Sequence, residues 1–236
     1  MPVKPLLKKQ ALWLLLPTLL WLGLFFCRKF WYQTWCAVDP SPCVESVIEP
    51  FDRVVFQYHS IFADFISNLL QNGVGVAMIL FAWLLLRKWI LFQGVLLYLV
   101  QVTLWNGALL EATRALVQRP RPLVFRSPLG DGAQIGQYTS FYSGHTSFVA
   151  MATFASFLWI SRAYPRGPKR WIALSAFVLL TTITGILRIL GGRHFPTDVL
   201  GAMLAGMLVA LAGFAWARKY LPQPFNLDEA RRSDAV

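Results

Sequence analysis

Long apolar runs dominate this sequence, and they constrain its fold more than any other feature. Several approach the ~20 apolar residues that carry a helix across a bilayer, and we predict six spans at 11–27, 69–86, 89–110, 146–160, 171–187 and 199–217. Backbone groups in lipid must bond within their own segment, so each span is expected to be helical. Charged residues make up only 14% of the chain, against ~25% in soluble domains. The sequence therefore predicts a single all-α polytopic membrane domain over residues 1–236.

A second pattern occupies residues 51–69, ahead of the second span. Apolar side chains such as Phe51, Phe62 and Leu69 recur there at helical spacing, and polar ones such as Asp52 and Asp64 fall between them. This alternation is typical of an amphipathic helix. We predict that the segment lies on the membrane surface rather than crossing the bilayer.

The net charge of +11 could suggest a nucleic-acid partner, but its distribution argues against one. Lys and Arg gather at the ends of apolar runs, as the positive-inside rule expects of a membrane protein. The basic connector 162–170 and the polar tail 221–236 are predicted to be cytoplasmic, with both termini. We thus expect a multi-pass protein of the plasma (inner) membrane, with the amphipathic helix and residues 111–144 on the extracytoplasmic face.

Cys36 and Cys43 fall on the predicted extracytoplasmic side, around two prolines. Disulfides persist in such oxidising compartments. A Cys36–Cys43 disulfide is predicted, and Cys27, near the end of the first span, is expected to stay free.

Two polar motifs are predicted to meet on that face. Arg114 and Arg121 are seven positions apart, about two helical turns, and so share one side of a helix. Ser143, Gly144 and His145 precede the fourth span, where Ser143 suits an N-cap and Gly144 permits close backbone approach to a ligand. Free N–H groups at such a helix start attract an oxyanion.

A third motif joins them between the last two spans. Pro196 suits the first turn of a helix, which places His194 at its entrance and Asp198 within about one turn. Asp198 could then orient the His194 imidazole. Arg188, before a Gly-Gly pair, could fold back as a fork for a phosphate.

Together the three motifs resemble the signature of the type 2 phosphatidic acid phosphatase family. That pattern reads Lys with Arg-Pro seven residues on, then Pro-Ser-Gly-His, then Ser/Thr-Arg, five residues, His, three residues and Asp. The chain matches it with Arg114 and Arg121-Pro122, with Ser143-Gly144-His145, and with Arg188, His194 and Asp198. It departs from it in three places, where Arg114, Tyr142 and Leu187 replace the Lys, the Pro and the Ser/Thr.

The resemblance implies a mechanism. His194 would attack phosphorus to form a phosphohistidine while Asp198 holds its tautomer, and His145 would protonate the leaving oxygen. The phosphoryl oxygens would be bound by Arg114, Arg121, Ser143, Gly144 and Arg188. No metal or other cofactor is expected, because the arginines supply the positive charge and the sequence has no cluster suited to Mg²⁺ or Zn²⁺.

We therefore expect a lipid phosphatase acting on a lipid phosphate monoester or diphosphate at the extracytoplasmic face. A phosphotransferase that passes the phosphoryl group from a polyprenyl diphosphate to another lipid, such as lipid A, shares the first half-reaction and stays open. An anion channel or transporter without catalysis is the rival of a different class. Transport sites usually lie near the midplane on broken helices, whereas these motifs lie at the ends of spans.

Overall fold

The computed structural model describes residues 3–86 and 89–221, and 79% of that part is helical. The described residues contain no β-strand. In these two ranges eight α-helices follow one another: α1 (Val3–Trp31), α2 (Pro50–Arg53), α3 (Ile61–Leu85), α4 (Trp89–Val117), α5 (Pro122–Arg126), α6 (Gly144–Ala163), α7 (Pro168–Leu190) and α8 (Pro196–Tyr220). The all-α prediction is confirmed.

Within the described part of the chain, five helices are long and apolar enough to cross a membrane, namely α1, α3, α4, α7 and α8. The chain is thus a multi-pass membrane protein. The predicted span 146–160 does form a helix, α6, but α6 is not among these five. It packs against α3, α4, α7 and α8, so protein rather than lipid surrounds much of it. A total of six spans stays a prediction.

The predicted amphipathic helix over 51–69 is wrong. Helix α2 ends at Arg53, a 3₁₀ turn covers Val54–Gln57, and the backbone is extended at Tyr58. Ser60 then caps α3, its hydroxyl accepting a hydrogen bond from the Ala63 N–H at 3.1 Å. The rest of the predicted segment therefore forms the first turns of a long apolar helix.

The helical period hides the break between α2 and α3, because apolar side chains are exposed on both sides of it. Phe51 and Phe62 are exposed on the outside of the described structure, whereas Asp52 is buried. Apolar side chains of a membrane protein can face lipid while polar ones face protein, the reverse of a soluble helix. The periodicity is therefore continuous although the helix is not.

Small residues let the central pair of helices approach closely. Ala202, Gly206 and Ala210 of α8 are buried, and α8 packs against α6. A Cβ atom at Gly206 would lie 2.9 Å from the Met151 backbone nitrogen of α6, closer than real contacts allow. These small residues thus allow α6 and α8 to pack closely.

The connections 32–60 and 118–143 form what we call the cap, since one apolar cluster joins them to Phe195. The predicted Cys36–Cys43 disulfide is present there, with Cα atoms 5.4 Å apart, and Cys27 is free and exposed. The Tyr138 hydroxyl accepts a hydrogen bond from the Cys36 N–H at 3.0 Å and so links the two connections.

Apart from Leu221, the predicted polar tail 221–236 lies outside the described residues, as do the basic residues 87–88. The cytoplasmic position of both termini stays a prediction.

Candidate active site

One cavity of about 600 Å³ brings most of the predicted site residues together. It is lined by residues of α1, α3, α4, α6 and α7 and of two connecting segments. Six of the eight predicted residues line it: Arg114, Arg121, Gly144, His145, Arg188 and His194. The other two, Ser143 and Asp198, are fully buried. Motifs more than 70 residues apart in sequence therefore share one site.

His194 is held in the short loop between α7 and α8. Gly191 ends α7, and Gly192 follows with φ at +66°, a left-handed conformation that favours glycine. A Cβ atom at Gly192 would also lie only 2.8 Å from the Tyr58 carbonyl oxygen. Pro196 then begins α8, as predicted. The two glycines thus let the loop pass tightly against the cap.

Hydrogen bonding determines the tautomer of His194. Its Nδ1 atom lies 2.8 Å from the Ser140 carbonyl oxygen and 3.6 Å from Asp198 Oδ2. A carbonyl can only accept, so Nδ1 carries the proton and Nε2 keeps its lone pair. The group nearest to Nδ1 that can orient the imidazole is therefore the Ser140 carbonyl. The sequence predicts Asp198 for this role, but Asp198 lies farther away.

Burial lowers the pKa of His194 to about 3, because the charged imidazolium would lose its hydration. Asp198 opposes that change, while the Arg188 and Arg121 guanidiniums add to it. His194 is neutral at physiological pH, the state in which a nitrogen lone pair is available.

Asp198 holds the loop that carries His194. Its Oδ2 atom accepts hydrogen bonds from the Phe195 N–H at 2.9 Å and from the Ser140 hydroxyl at 2.6 Å. Because Ser140 also supplies the carbonyl that contacts His194, Asp198 acts on the histidine mainly through its neighbours.

His145 lies in the first turn of α6. Ser143 caps this helix, accepting hydrogen bonds from the Thr146 N–H at 3.5 Å and the Thr146 hydroxyl at 3.0 Å. The predicted N-cap is confirmed, but Ser143 does not line the cavity, and its contact with phosphate stays a prediction. His145 Nε2 lies 2.5 Å from Asn68 Oδ1 of α3. An amide oxygen accepts, so Nε2 carries a proton there.

Three arginines on different elements converge on the cavity, each with a polar partner. Arg188 contacts Asp64 Oδ1 at 2.5 Å, and Arg114 contacts Glu111 Oε1 at 3.1 Å. Arg121 donates to the Thr139 hydroxyl at 3.1 Å. Gly144 makes room for this cluster, since a Cβ atom there would lie 3.1 Å from Arg114 Nη2.

The same arginines keep unused donors. The Nε atoms of Arg114, Arg121 and Arg188 are buried and have no hydrogen-bond partner within the described structure. Leaving a buried donor unpaired costs ~1–3 kcal/mol, and more when it is charged. Three such donors around one cavity fit an anionic ligand with several acceptor oxygens.

Sequence reasoning missed the partners of these groups. The sequence pattern places Asp64 on the polar face of a surface helix and indicates no role for Arg119, Ser140 or Glu111. A signal was present for Asp64, because an ionisable residue in an apolar, membrane-length helix usually serves function. At the departure Tyr142, the side chain is buried and does not line the cavity.

The opposite wall of the cavity is apolar. Helix α1 contributes Trp21, Leu22, Phe25 and Phe26, and α6 contributes Phe148. The Trp21 ring lies over Gly107 of α4, where a Cβ atom would be only 2.9 Å from it. A positively charged end and an aromatic wall in one cavity suit a molecule with an anionic head and an apolar chain.

Among residues 3–86 and 89–221, no group of three or more His, Cys, Asp or Glu side chains could hold a metal ion. The two histidines have other partners, Asn68 and the Ser140 carbonyl. Metal independence stays a prediction, to be tested by chelation.

Comparison with known proteins places the chain in a family. No curated protein and no solved structure matches it. The model of the PAP2 superfamily matches residues 94–222, more than half of the chain, and this range contains all eight predicted site residues. The chain belongs to the PAP2 superfamily and is a membrane protein of the phosphatase or phosphotransferase type.

Proposed function

We propose that this protein is an integral membrane lipid phosphatase that works through a phosphohistidine on His194. The observation that carries the proposal is the cavity itself. It combines three guanidiniums with buried, unpaired Nε atoms, two histidines that carry the proton on different ring nitrogens and an aromatic wall. Membership of the PAP2 superfamily supports phosphatase chemistry.

The guanidiniums would bind the phosphoryl group. Arg114, Arg121 and Arg188 offer planar donors to its non-bridging oxygens, and their charge would stabilise the negative charge that develops in the transition state. The backbone at Gly144 begins α6 and would add N–H donors near the same oxygens. Positive charge from the protein makes a metal unnecessary in this scheme.

His194 would be the nucleophile. Its Nε2 lone pair forms a bond to phosphorus while the bond from phosphorus to the leaving oxygen breaks. The proton stays on Nδ1 and is donated to the Ser140 carbonyl oxygen, which would stabilise the positive charge of the phosphorylated ring. His145, protonated at both ring nitrogens once the anionic phosphate is bound, would give a proton to the leaving oxygen and become a neutral imidazole that still contacts Asn68.

Water would complete the cycle. Its oxygen attacks phosphorus as the bond from phosphorus to His194 Nε2 breaks, and its proton goes to His145, which is thereby restored. Inorganic phosphate leaves. If a lipid hydroxyl or phosphate replaces water, the same intermediate supports phosphotransfer, so the acceptor decides between the two activities.

The substrate would be a lipid phosphate monoester or diphosphate. Trp21, Phe25 and Phe148 give the cavity an apolar side that an acyl or prenyl chain would bury. The positive-inside pattern supports a site on the extracytoplasmic face of the plasma (inner) membrane, with both termini cytoplasmic. The Cys36–Cys43 disulfide in the cap fits that oxidising side.

The test is phosphate release by detergent-purified protein in EDTA buffer. Substrates would be a polyprenyl diphosphate, phosphatidic acid, phosphatidylglycerol phosphate and a lipid A phosphate, each with and without an acceptor lipid. We expect release from at least one of them and none from His194→Ala. Transfer to the acceptor without release would favour the phosphotransferase. Anion transport in vesicles without turnover of any lipid would contradict the proposal and favour a channel or transporter.

A further inference from the structure

A buried carboxylate lies behind the proposed nucleophile, and no motif accounts for it. Asp52 belongs to α2 in the cap, ahead of the range 94–222 that the family model matches. Its side chain is only 2% exposed. A carboxylate is costly to bury unless charges and hydrogen bonds surround it, so its partners indicate its role.

Asp52 holds the first turn of α8 in place. Its Oδ1 atom accepts a hydrogen bond from the Thr197 N–H at 2.9 Å, and Oδ2 accepts one from the Thr197 hydroxyl at 2.6 Å. The negative charge thus lies at the N-terminus of a long helix, where the helix dipole favours it. This turn directly follows His194.

Arg119 joins Asp52 to Asp198. One guanidinium nitrogen, Nη2, donates to Asp52 Oδ2 at 2.6 Å, and the other, Nη1, donates to Asp198 Oδ1 at 2.6 Å. Nη1 also contacts the Thr197 hydroxyl at 2.7 Å, and the guanidinium lies 4.2 Å from the centre of the Phe195 ring. Arg119 therefore contacts both residues that flank Pro196 and Asp198 itself.

Asp198 in turn fixes the groups that contact His194. It accepts from the Ser140 hydroxyl and the Phe195 N–H, and the Ser140 carbonyl contacts His194 Nδ1 at 2.8 Å. A continuous chain of short polar contacts, each of 2.6–2.8 Å, thus leads from Asp52 through Arg119, Asp198 and Ser140 to the imidazole.

We propose that Asp52 is a positioning residue for the reaction, holding His194 in line for attack through Arg119 and Asp198. The inference rests on the proposed function. Asp52 does not line the cavity, so it touches no substrate and acts only through the others. The cap would then be part of the catalytic machinery rather than a cover over it.

The test compares Asp52→Asn with Glu49→Gln in kcat and KM for phosphate release. Asn keeps the size and one acceptor but removes the charge that holds Arg119. Misplacing a reacting group by ~1 Å can cost ~10²-fold, so we expect kcat to fall about 10- to 100-fold with KM within about twofold. Glu49, the exposed N-cap residue of α2, is the matched control, and Glu49→Gln should keep the wild-type kcat.

A double-mutant cycle separates positioning from a general loss of folding. Asp52 and Arg119 act in series, so Asp52→Asn combined with Arg119→Gln should be no slower than Arg119→Gln alone. Additive losses would overturn the inference, as would an unchanged kcat or a raised KM with unchanged kcat in Asp52→Asn. If Asp52→Asn does not fold, Thr197→Val removes the hydroxyl that Asp52 and Arg119 both contact. A wild-type kcat in that variant would equally overturn the inference.

An inactive wild type would overturn the proposed function itself, whereas an active wild type with an unaffected Asp52→Asn would overturn this inference alone.

Discussion

The matched range 94–222 and the N-terminal region before it contribute different groups to the same cavity. The matched range holds every predicted nucleophile, acid and phosphate-binding residue. The N-terminal region adds partners from outside that range, Asp64 on Arg188 and Asn68 on His145, and the aromatic wall of α1. The matched range thus holds the predicted reaction centre and part of its support, while the N-terminal region supplies the rest of that support and most of the apolar wall.

Apart from the loss of the nucleophile itself, we expect the largest loss of activity from His145→Ala. A positioned general acid typically contributes ~10²–10⁴-fold. The loss should be large for a lipid phosphate, whose alkoxide leaving group needs a proton, and small for 4-nitrophenyl phosphate, whose leaving group does not. Asn68→Ala, its N-terminal counterpart, should lose only about tenfold. Equal losses of the His145 variant on both substrates would contradict the acid role.

A smaller loss is expected from Asp64→Asn. This carboxylate bridges two arginines, Arg188 Nη1 at 2.5 Å and Arg193 Nη2 at 2.8 Å. Without its charge the Arg188 guanidinium is no longer fixed toward the phosphate, so kcat/KM should fall about tenfold. Asp39→Asn, an exposed carboxylate of the cap, is the control. If the two variants have the same kcat/KM, Asp64 does not orient the phosphate site.

Removing part of the aromatic wall should affect lipid binding alone. Phe25→Ala is expected to raise KM for a long-chain lipid phosphate about three- to tenfold, since a buried Phe contributes ~1.5–3 kcal/mol when fully covered. A short-chain, water-soluble phosphate should show no change. Phe62→Ala, exposed on α3 and away from the cavity, is the matched control. A similar rise for both substrates would show that the wall does not select for the chain.

The smallest effect concerns pH and stability. The pKa of His194 is about 3 in the folded protein against an ordinary value of 6.5. Between these values the unfolded chain binds the extra proton, so stability rises with pH and is lost as pH falls. The apparent Tm of the wild type should therefore drop more between pH 7 and pH 5 than that of His194→Asn. Equal drops would mean that His194 titrates normally.

The motif residues could be predicted because their spacing reflects chemistry that the fold must respect. Arg114 and Arg121 both line the cavity although helix α4 ends at Val117, before Arg121. The turn after α4 brings Arg121 back to the cavity. The prediction that the two arginines share one helix face is therefore wrong, but the prediction that they share one site is confirmed.

The partners could not be predicted, because contacts between distant segments leave no local pattern. Asp52 contacts Thr197, 145 positions away, and its sequence neighbours give no sign of this. The break at Tyr58 was equally hidden, since the exposed phenylalanines on either side continue one period. Over this segment the exposed side chains are the apolar Phe51 and Phe62, while the polar Asp52 is buried against protein.

The most direct test of the account is the rate of His194→Ala on a lipid phosphate that the wild type hydrolyses, in a chelated buffer. The account predicts that this variant extracts and folds like the wild type but releases no phosphate, and that chelation leaves the wild-type rate unchanged. Phosphate release by His194→Ala near the wild-type rate would contradict the phosphohistidine mechanism.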